Sequence, residues 1–198
     1  MHQLWVIAGP NGSGKTTLCR RYLAGKIPVI NPDEIAFSLS STLGDASDVA
    51  IRAGRDALEL QHRFLEDRQS FALETTLSGH TGINLMREAR DAGFKVNLVF
   101  VCLESPMASV GRIVSRMQDG GHHVPRSDVE RRYNRSLDNL PEGISLAHRA
   151  WLLDNSRTRL RLVASLERGH VKNMAVSLPK WLNNTHIPAL DQAQGLAR

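Results

Sequence analysis

The sequence predicts an α/β fold of three layers, in which helices cover both faces of a mainly parallel β-sheet. Short apolar runs that resemble buried strands alternate with longer segments of helical periodicity over most of the 198 residues. A hydrophobic content of 41% is enough for an ordinary buried core at this length. We therefore expect one domain over residues 1–198 with a core at about 4–156, and we make no assignment for 157–198.

The first strand and helix are predicted on either side of a glycine-rich segment. Residues 4–8 form a short apolar run that ends in glycine, which is typical of a buried parallel strand. Residues 16–23 follow as a helix. Residues 27–30 form a second apolar run, and Pro32 ends it because proline cannot donate to a strand ladder.

A long helix is predicted over residues 45–68, because apolar or small residues recur there every three or four positions. One stripe of this helix should face the core. Its members are Val49, Ala53, Ala57, Leu60 and Phe64. Residues 71–74 then form a third predicted strand.

The middle of the chain repeats the alternation of helix and strand. Residues 84–92 are a predicted helix that Gly93 ends, and 96–103 is an almost unbroken apolar run typical of a buried strand. Residues 106–117 form the next predicted helix, and 120–125 form a loop.

A further helix should begin at Ser127, because Ser127 and Glu130 have the spacing of a capping box. This helix carries several arginines and would form a lid. Residues 151–154 are the last predicted core strand. In a sheet of this kind, ligands bind at the carboxyl ends of the strands.

The segment between the first strand and the first helix has the spacing of a Walker A phosphate loop, a glycine, four residues and then Gly-Lys-Thr. Glycines let the loop fold so that its N–H groups meet phosphate oxygens. Lys15 would reach the β- and γ-phosphates, and Thr16 would offer its hydroxyl to Mg²⁺. We therefore expect ATP or GTP with Mg²⁺. The residues assigned to the nucleotide are Gly9, Pro10, Asn11, Gly12, Ser13, Gly14, Lys15, Thr16 and Thr17.

Two acidic residues follow predicted strands and should lie at the same edge of the sheet as the phosphate loop. Asp33 follows the second strand and Glu74 ends the third. A carboxylate beside the γ-phosphate can orient and deprotonate an acceptor hydroxyl. We assign Asp33 as this base and Glu74 as a hydrogen-bond acceptor for the substrate. Asp33 is alternatively an N-cap for the next helix, and Glu74 is alternatively structural.

Arginines and histidines supply the cations of the predicted lid. Arg112 and Arg116 stand four residues apart on one helix face, and planar guanidinium groups suit the charge on a transferring phosphoryl group. Arg132 is assigned as a further substrate contact, whereas Arg131 and Arg135 fit a solvated helix face. His122 and the adjacent His123 would touch phosphate or cap the loop, without metal, since no Cys or carboxylate stands at ligand spacing.

At these residues the sequence resembles the zeta-toxin family of P-loop kinases, including short chromosomal members described as predicted ABC-type ATPases. The resemblance extends from Leu4 to about Ser156. Its motifs are the phosphate loop, Asn31-Pro-Asp-Glu-Ile35, Ser70-Phe-Ala-Leu-Glu-Thr-Thr-Leu-Ser-Gly79, Gly120-Gly-His-His-Val-Pro125, Arg131-Arg-Tyr133 and Asp154-Asn-Ser156.

The resemblance implies ATP- or GTP-dependent phosphorylation of a UDP-activated amino sugar, with a small antitoxin that holds the kinase inactive. It also implies the base at Asp33, a substrate contact at Glu74 and phosphate contacts at Lys15 and Arg116. Thr75 and Thr76 belong to the same motif as Glu74, and we assign both to the substrate. The better-known toxins are longer, and His122 stands where they place a second lid arginine.

Three other functions share part of these signals. A polynucleotide or nucleoside kinase uses the same loop, aspartate and arginines. Leu77-Ser-Gly-His80 resembles the signature of ABC-type ATPases, but no apolar run ends in an adjacent Asp-Glu pair. A nucleotide-gated binding module without turnover is disfavoured by the presence of both Lys15 and Asp33.

Composition narrows the partners and the location. The net charge of +5 depends on arginines concentrated at 112–135 and 157–168, so one anion site explains much of it and nucleic acid is not expected as a partner. No secretory signal or membrane span is predicted, so we expect a soluble, cytoplasmic protein without a membrane partner. Cys19 and Cys102 lie in predicted elements far apart and are expected to be core thiols.

Overall fold

The computed structural model describes residues 1–40, 46–118 and 125–196, and a seven-stranded sheet runs through these residues. The strands lie in the order β2-β3-β1-β4-β5-β6-β7. The first five strands in this order pair in parallel. Strand β6 pairs antiparallel with β5, and β7 pairs antiparallel with β6. The strands are β1 (Gln3–Ala8), β2 (Val29–Ile30), β3 (Phe71–Thr75), β4 (Lys95–Cys102), β5 (Arg149–Asp154), β6 (Arg161–Glu167) and β7 (His170–Met174).

Helices connect the parallel strands and continue after the sheet. In the described residues they are α1 (Lys15–Tyr22), α2 (Pro32–Ser40), α3 (Ala46–Glu66), α4 (Thr81–Asp91), α5 (Pro106–Gln118), α6 (Arg126–Asp138), α7 (Leu140–Leu146), α8 (Lys180–Asn183) and α9 (Pro188–Leu196). The predicted three-layer α/β fold with a mainly parallel sheet is thus confirmed.

Strand register divides the core between the two faces of the sheet. Leu4 of β1 pairs with Phe71 of β3 and Val96 of β4, and all three belong to the larger hydrophobic cluster together with residues of α3, α4 and α7. Ile7 and Val99 pair on the opposite face, in a smaller cluster with Cys19 of α1. Most of the buried apolar surface therefore lies on one side, and α1 packs on the other.

The predicted strands and helices are found within a few residues of their expected ends. The second strand is shorter than predicted, because Pro28 lies within the run and only its carbonyl takes part in the pairing, by accepting the N–H of Ala72 at 2.8 Å. The stripe on α3 faces the core as expected, with Ala53 and Ala57 buried and Phe64 packed against Phe71. Helix α2 is an element that our sequence analysis did not delimit.

The predicted capping box of α6 is wrong. The helix begins at Arg126 with Pro125 as its N-cap, and no side chain caps it. Glu130 accepts instead from Arg126 Nε at 2.8 Å, as an ion pair one turn apart. The fixed φ of Pro125 starts the helix one residue early and places Ser127 inside the first turn.

The C-terminal segment, which the sequence left unassigned, packs against the main face of the sheet. Trp181 and Leu182 of α8 belong to the larger core cluster, as do Ile187 and Leu190 near α9. The indole Nε1 of Trp181 donates to Asp154 Oδ1 at 3.2 Å, at the end of β5. Residues after 174 therefore cover apolar surface that the parallel strands would otherwise expose.

Both cysteines are buried and free, as expected of core thiols. Across the described residues, the helices lack the length and apolar composition that a membrane span requires.

Trp181→Ala should lower the free energy of unfolding by about 3 to 5 kcal/mol, because it removes a buried indole from the core and leaves a cavity. Urea denaturation followed by circular dichroism measures this difference. Val176→Ala is the control, since this side chain is fully exposed and its removal should change the free energy by less than about 0.5 kcal/mol. A loss below about 1 kcal/mol for Trp181→Ala would show that the C-terminal segment contributes little to the core.

Candidate active site

The phosphate loop connects β1 to α1 and passes close to the end of β4. A Cβ atom at Gly9 would lie 2.0 Å from the carbonyl oxygen of Val101, so this position admits only glycine. Gly14 is the N-cap of α1 and has a φ of +103°, in the left-handed region that favours glycine. The loop therefore ends directly at the N-terminus of α1, where the helix dipole and free N–H groups favour an anion.

Lys15 and Thr16 open α1 and face different partners. The Lys15 side chain is buried and its Nζ donates to the carbonyl oxygen of Pro10 at 3.0 Å, within the loop. The Thr16 hydroxyl donates to Glu74 Oε1 at 2.7 Å. A loop lysine and a loop threonine are thus both in place at the start of the helix, as the sequence predicted.

Glu74 lies at the carboxyl end of β3, on the face of the sheet that α1 covers. Its Oε2 accepts from Asn31 Nδ2 at 3.1 Å, while Oε1 accepts from Thr16. Burial raises the pKa of Glu74, and the Thr16 hydrogen bond and the Lys15 charge oppose that rise. Glu74 therefore joins three separate parts of the chain: the phosphate loop helix, the turn after β2, and β3.

The thiol of Cys19 belongs to the same cluster. Burial raises the pKa of Cys19 to about 12, and the neighbouring Glu74 carboxylate raises it further by charge and hydrogen bonding. The thiol thus stays protonated at neutral pH. It serves as a weak donor toward Glu74.

Asn31, and not Asp33, caps helix α2. The Asn31 side-chain oxygen accepts the backbone N–H of Asp33 at 3.1 Å, which is the contact of an N-cap with the second residue of a helix. Asp33 is in the first turn of α2, exposed, and lines the cavity beside the phosphate loop. The capping alternative for Asp33 is therefore excluded by a neighbour that performs this role.

A cavity of about 610 Å³ extends from the phosphate loop along α1. It brings Asp33, Glu74 and Arg112 together with Lys15 and Thr16. The Arg112 guanidinium Nη2 donates to the backbone oxygen of Asn155 at 2.5 Å. The remaining lining residues are Asn11, Gly12, Gly14, Thr17, Leu18, Arg21, Tyr22, Ser115, Asn155, Thr158 and Leu160.

Other predicted contacts lie away from this cavity wall. Thr75 Oγ1 accepts the N–H of Leu77 at 3.1 Å, and Thr76 Oγ1 lies 2.8 Å from Ser78 Oγ, so both hydroxyls have partners in their own turn. Arg132 is half-buried on α6. Among the described residues, the cavity lining does not include Thr75, Thr76 or Arg132.

Three predicted residues lie wholly or partly outside the described part of the chain. Arg116 belongs to α5, but its side chain is not among those described, and His122 and His123 fall within 119–124. Arg131 forms an ion pair with Asp128 one turn away, as a solvated face would.

Sequence reasoning missed the roles of Asn31 and Asn155. Each follows the end of a strand, β2 and β5, at the same edge of the sheet as Asp33 and Glu74. The rule that selected the two carboxylates would also have selected these amides.

Comparison with known proteins finds one family model and one relative that each match about two thirds of this chain. Residues 4–138 match the family model described as an AAA domain. An uncharacterized protein of Haemophilus influenzae is 34% identical over 139 residues, which cover 66% of this chain and 97% of that protein.

Solved structures share the fold at low sequence identity. The AvrRxo1-ORF1:-ORF2 complex with ATP has a TM-score of 0.71 at 17% identity, covering 98% of this chain. This chain spans only 63% of that longer one. A structure from the PezAT chromosomal toxin-antitoxin system of Streptococcus pneumoniae has a TM-score of 0.68 at 17% identity, covering 98% of this chain and 84% of its own. At these identities the similarity shows the fold alone.

The raised pKa of Glu74 predicts a pH dependence of stability. A folded-state pKa above the usual value of about 4.5 means that the folded protein binds this proton more tightly than the unfolded chain. The Glu74 contribution to the free energy of unfolding should therefore increase as pH falls from neutral toward 4.5, and decrease as pH rises. Urea denaturation of the wild type and Glu74→Gln across this range measures it. A difference between the two proteins that does not change with pH would contradict the shift.

Proposed function

The chain belongs to the AAA domain family, and from this premise we propose that it is a P-loop phosphotransferase that moves the γ-phosphoryl group of ATP or GTP to a small-molecule hydroxyl. One observation supports the proposal above all. A phosphate loop, an accessible aspartate and an arginine line a single cavity at the carboxyl edge of the parallel strands. Phosphoryl transfer needs this combination of an anion site, a base and a cation that stabilises charge.

The loop and the start of α1 would bind the nucleotide phosphates. Their N–H groups and the helix dipole attract the anion, and Lys15 would leave the Pro10 carbonyl to contact the β- and γ-phosphates. The Pro10 carbonyl would keep the hydrogen bond that it accepts from the Ser13 N–H at 3.3 Å. Binding thus exchanges one hydrogen bond for stronger ones to charged oxygens.

Oxygen donors suited to Mg²⁺ lie where the β- and γ-phosphates would meet α1. The Thr16 hydroxyl and the Glu74 carboxylate are 2.7 Å apart, and Mg²⁺ in nucleotide sites is held by one or two such oxygens with phosphates and water. Bound Mg²⁺ would neutralise charge on the phosphates. We assign Thr16 as the ligand and Glu74 as the residue that orients it, in place of the substrate contact first expected of Glu74.

Asp33 is the residue in the cavity best placed to act as general base. Both oxygens of Glu74 are already hydrogen-bonded to Thr16 and Asn31. Asp33 is exposed on the cavity wall, and its backbone N–H, not its carboxylate, makes the capping contact. Its carboxylate would accept the acceptor hydroxyl proton as that oxygen bonds to the γ-phosphorus. The bond from the γ-phosphorus to the bridging oxygen breaks, and the nucleoside diphosphate leaves with the electron pair.

Arg112 would stabilise the negative charge on the transferring group. Its guanidinium is in the cavity and is oriented by the backbone oxygen of Asn155. Such an arginine acts mainly when charge redistributes in the transition state. Arg116, one turn later on α5, is proposed as a second phosphate contact.

The acceptor is proposed from the sequence resemblance to zeta toxins, as a UDP-activated amino sugar. The similarity in fold to a structure from a toxin-antitoxin system is compatible with this proposal and with a small antitoxin partner. Thr75, Thr76, His122 and Arg132 remain proposed substrate contacts.

Transfer of radioactive γ-phosphate from ATP or GTP, with Mg²⁺, tests the proposal directly. The acceptor panel should contain UDP-activated amino sugars, nucleosides and oligonucleotides with a free 5′ hydroxyl. Label on a sugar nucleotide is the expected result. Label on a nucleoside or oligonucleotide alone would show that these compounds, and not sugar nucleotides, are the acceptors. Nucleotide binding without transfer to any acceptor would contradict the assignment as a kinase.

Lys15→Ala should abolish transfer, because it removes the charge at the β- and γ-phosphates from both the ground state and the transition state. Lys26→Ala is a matched control, since Lys26 is exposed in the turn after α1. The transfer assay measures both. Wild-type turnover by Lys15→Ala would contradict the assignment of the phosphate loop.

Asp33→Asn should reduce transfer by about 10² to 10⁴ while nucleotide affinity and melting temperature stay unchanged. Asn31 caps the helix, so the amide at position 33 leaves the fold intact. Asn31→Ala is the comparison, because it should lower the melting temperature through loss of the cap. Transfer by Asp33→Asn within about threefold of the wild type would exclude Asp33 as the base.

A further inference from the structure

Asn155 connects the end of β5 to the phosphate loop across most of the sequence. Its side-chain Nδ2 donates to the backbone oxygen of Ser13 at 2.7 Å, over a separation of 142 residues. Its own backbone N–H donates to the carbonyl oxygen of Cys102 at 2.8 Å, at the end of β4. The backbone of Asn155 is therefore hydrogen-bonded to the sheet, and its side chain is hydrogen-bonded to the phosphate loop.

We infer that Asn155 is a positioning residue that sets the phosphate loop in its anion-binding conformation. This inference rests on the proposed function, because it concerns the site that would bind the nucleotide. Asn155 acts through the loop backbone and is not assigned a contact with the reacting atoms.

The planar peptide between Ser13 and Gly14 explains how one hydrogen bond can orient the loop. In a trans peptide the C=O and the N–H point in opposite directions. With the Ser13 oxygen held toward Asn155, the Gly14 N–H must point away from Asn155. In phosphate loops the backbone N–H groups of this segment are those that meet the phosphates.

The fit around Gly14 supports a specific contact. A Cβ atom at Gly14 would lie 2.7 Å from Asn155 Nδ2, so the amide is packed directly against the loop backbone. The Ser13 side-chain hydroxyl is fully buried and has no hydrogen-bond partner among the described residues. The hydrogen bond from Asn155 thus fixes the direction of the Ser13 carbonyl, whereas the Ser13 hydroxyl makes no hydrogen bond that would hold this part of the loop.

The same residue orients Arg112 through its main chain. Arg112 Nη2 donates to the Asn155 backbone oxygen at 2.5 Å, whereas the loop contact uses the Asn155 side chain. A substitution at position 155 can therefore remove the loop contact and keep the carbonyl that orients Arg112. This separation predicts a larger effect on nucleotide affinity than on the transfer step.

Titration of a fluorescent N-methylanthraniloyl derivative of ATP, with Mg²⁺, tests the inference on the full chain. Asn155→Ala should weaken binding about 3- to 10-fold, the range expected for one hydrogen bond. Asn155→Asp should weaken it more than about tenfold, because a carboxylate cannot donate to the Ser13 oxygen and its charge repels phosphate. The rate at saturating nucleotide should fall by a smaller factor than the affinity in both variants, because the carbonyl that orients Arg112 is kept.

A merely structural role would give a different pattern. Leu is close to Asn in size and is uncharged but cannot donate a hydrogen bond, so a packing role predicts that Asn155→Leu binds the nucleotide about as tightly as the wild type. The positioning role predicts that Asn155→Leu loses affinity as Asn155→Ala does, and that the additional loss in Asn155→Asp shrinks at high salt because charge is screened. Asn155→Leu also provides the test if Asn155→Ala fails to fold.

Asn173→Ala is the matched control. Its Nδ2 donates to Ser165 Oγ at 3.0 Å between β6 and β7, so its loss removes a similar amide contact outside the site. Equal nucleotide affinity in Asn155→Ala, Asn173→Ala and the wild type would overturn the role of Asn155 and leave the proposed function intact. Failure of the wild type to bind the nucleotide would overturn both.

Discussion

Glu74 is a buried carboxyl group, and burial of such a group costs free energy unless donors satisfy its oxygens. The donors come from Thr16 on α1 and Asn31 before α2, so the start of each helix must lie beside the end of β3. The position of the phosphate loop relative to the second strand follows from this requirement. Burial, and after it the neighbouring Glu74 carboxylate, raises the pKa of Cys19, so the thiol keeps its proton beside the carboxylate.

Two amides complete this arrangement from opposite sides. Asn31 uses its amino group for Glu74 and its oxygen for the N–H of Asp33, so a single side chain both supports the carboxylate and caps α2. Asn155 performs a similar double function for the loop and for Arg112. The Asn31 side chain can do both because an amide offers donors and an acceptor, whereas an ionised carboxylate only accepts. Asn155 instead uses its side chain for the loop and its backbone oxygen for Arg112.

The larger part of the core lies on one face of the sheet, where it packs against the end of β5 beside the site. The C-terminal segment contributes Trp181 to the main face, and its indole is hydrogen-bonded to Asp154, the residue before Asn155. The end of β5 is therefore held by the core on one side while it contacts the phosphate loop on the other. On the opposite face, Trp5 and Trp151 stack with ring centroids 5.7 Å apart and pack against the smaller cluster that contains Cys19 of α1.

The sequence by itself determined the phosphate loop, the parallel strands and the meeting of Asp33 and Glu74 at one edge, because each depends on local spacing and on the geometry of parallel strands. It did not determine the cap of α6, where Pro125 is the N-cap and Ser127 lies inside the first turn of the helix. Only the tertiary structure decided that Glu74 accepts from Thr16 and from Asn31, and that Asn155 donates to the Ser13 carbonyl. These contacts join residues from distant parts of the chain, and burial selects among the polar groups that packing brings together, so neither periodicity nor motif spacing contains them.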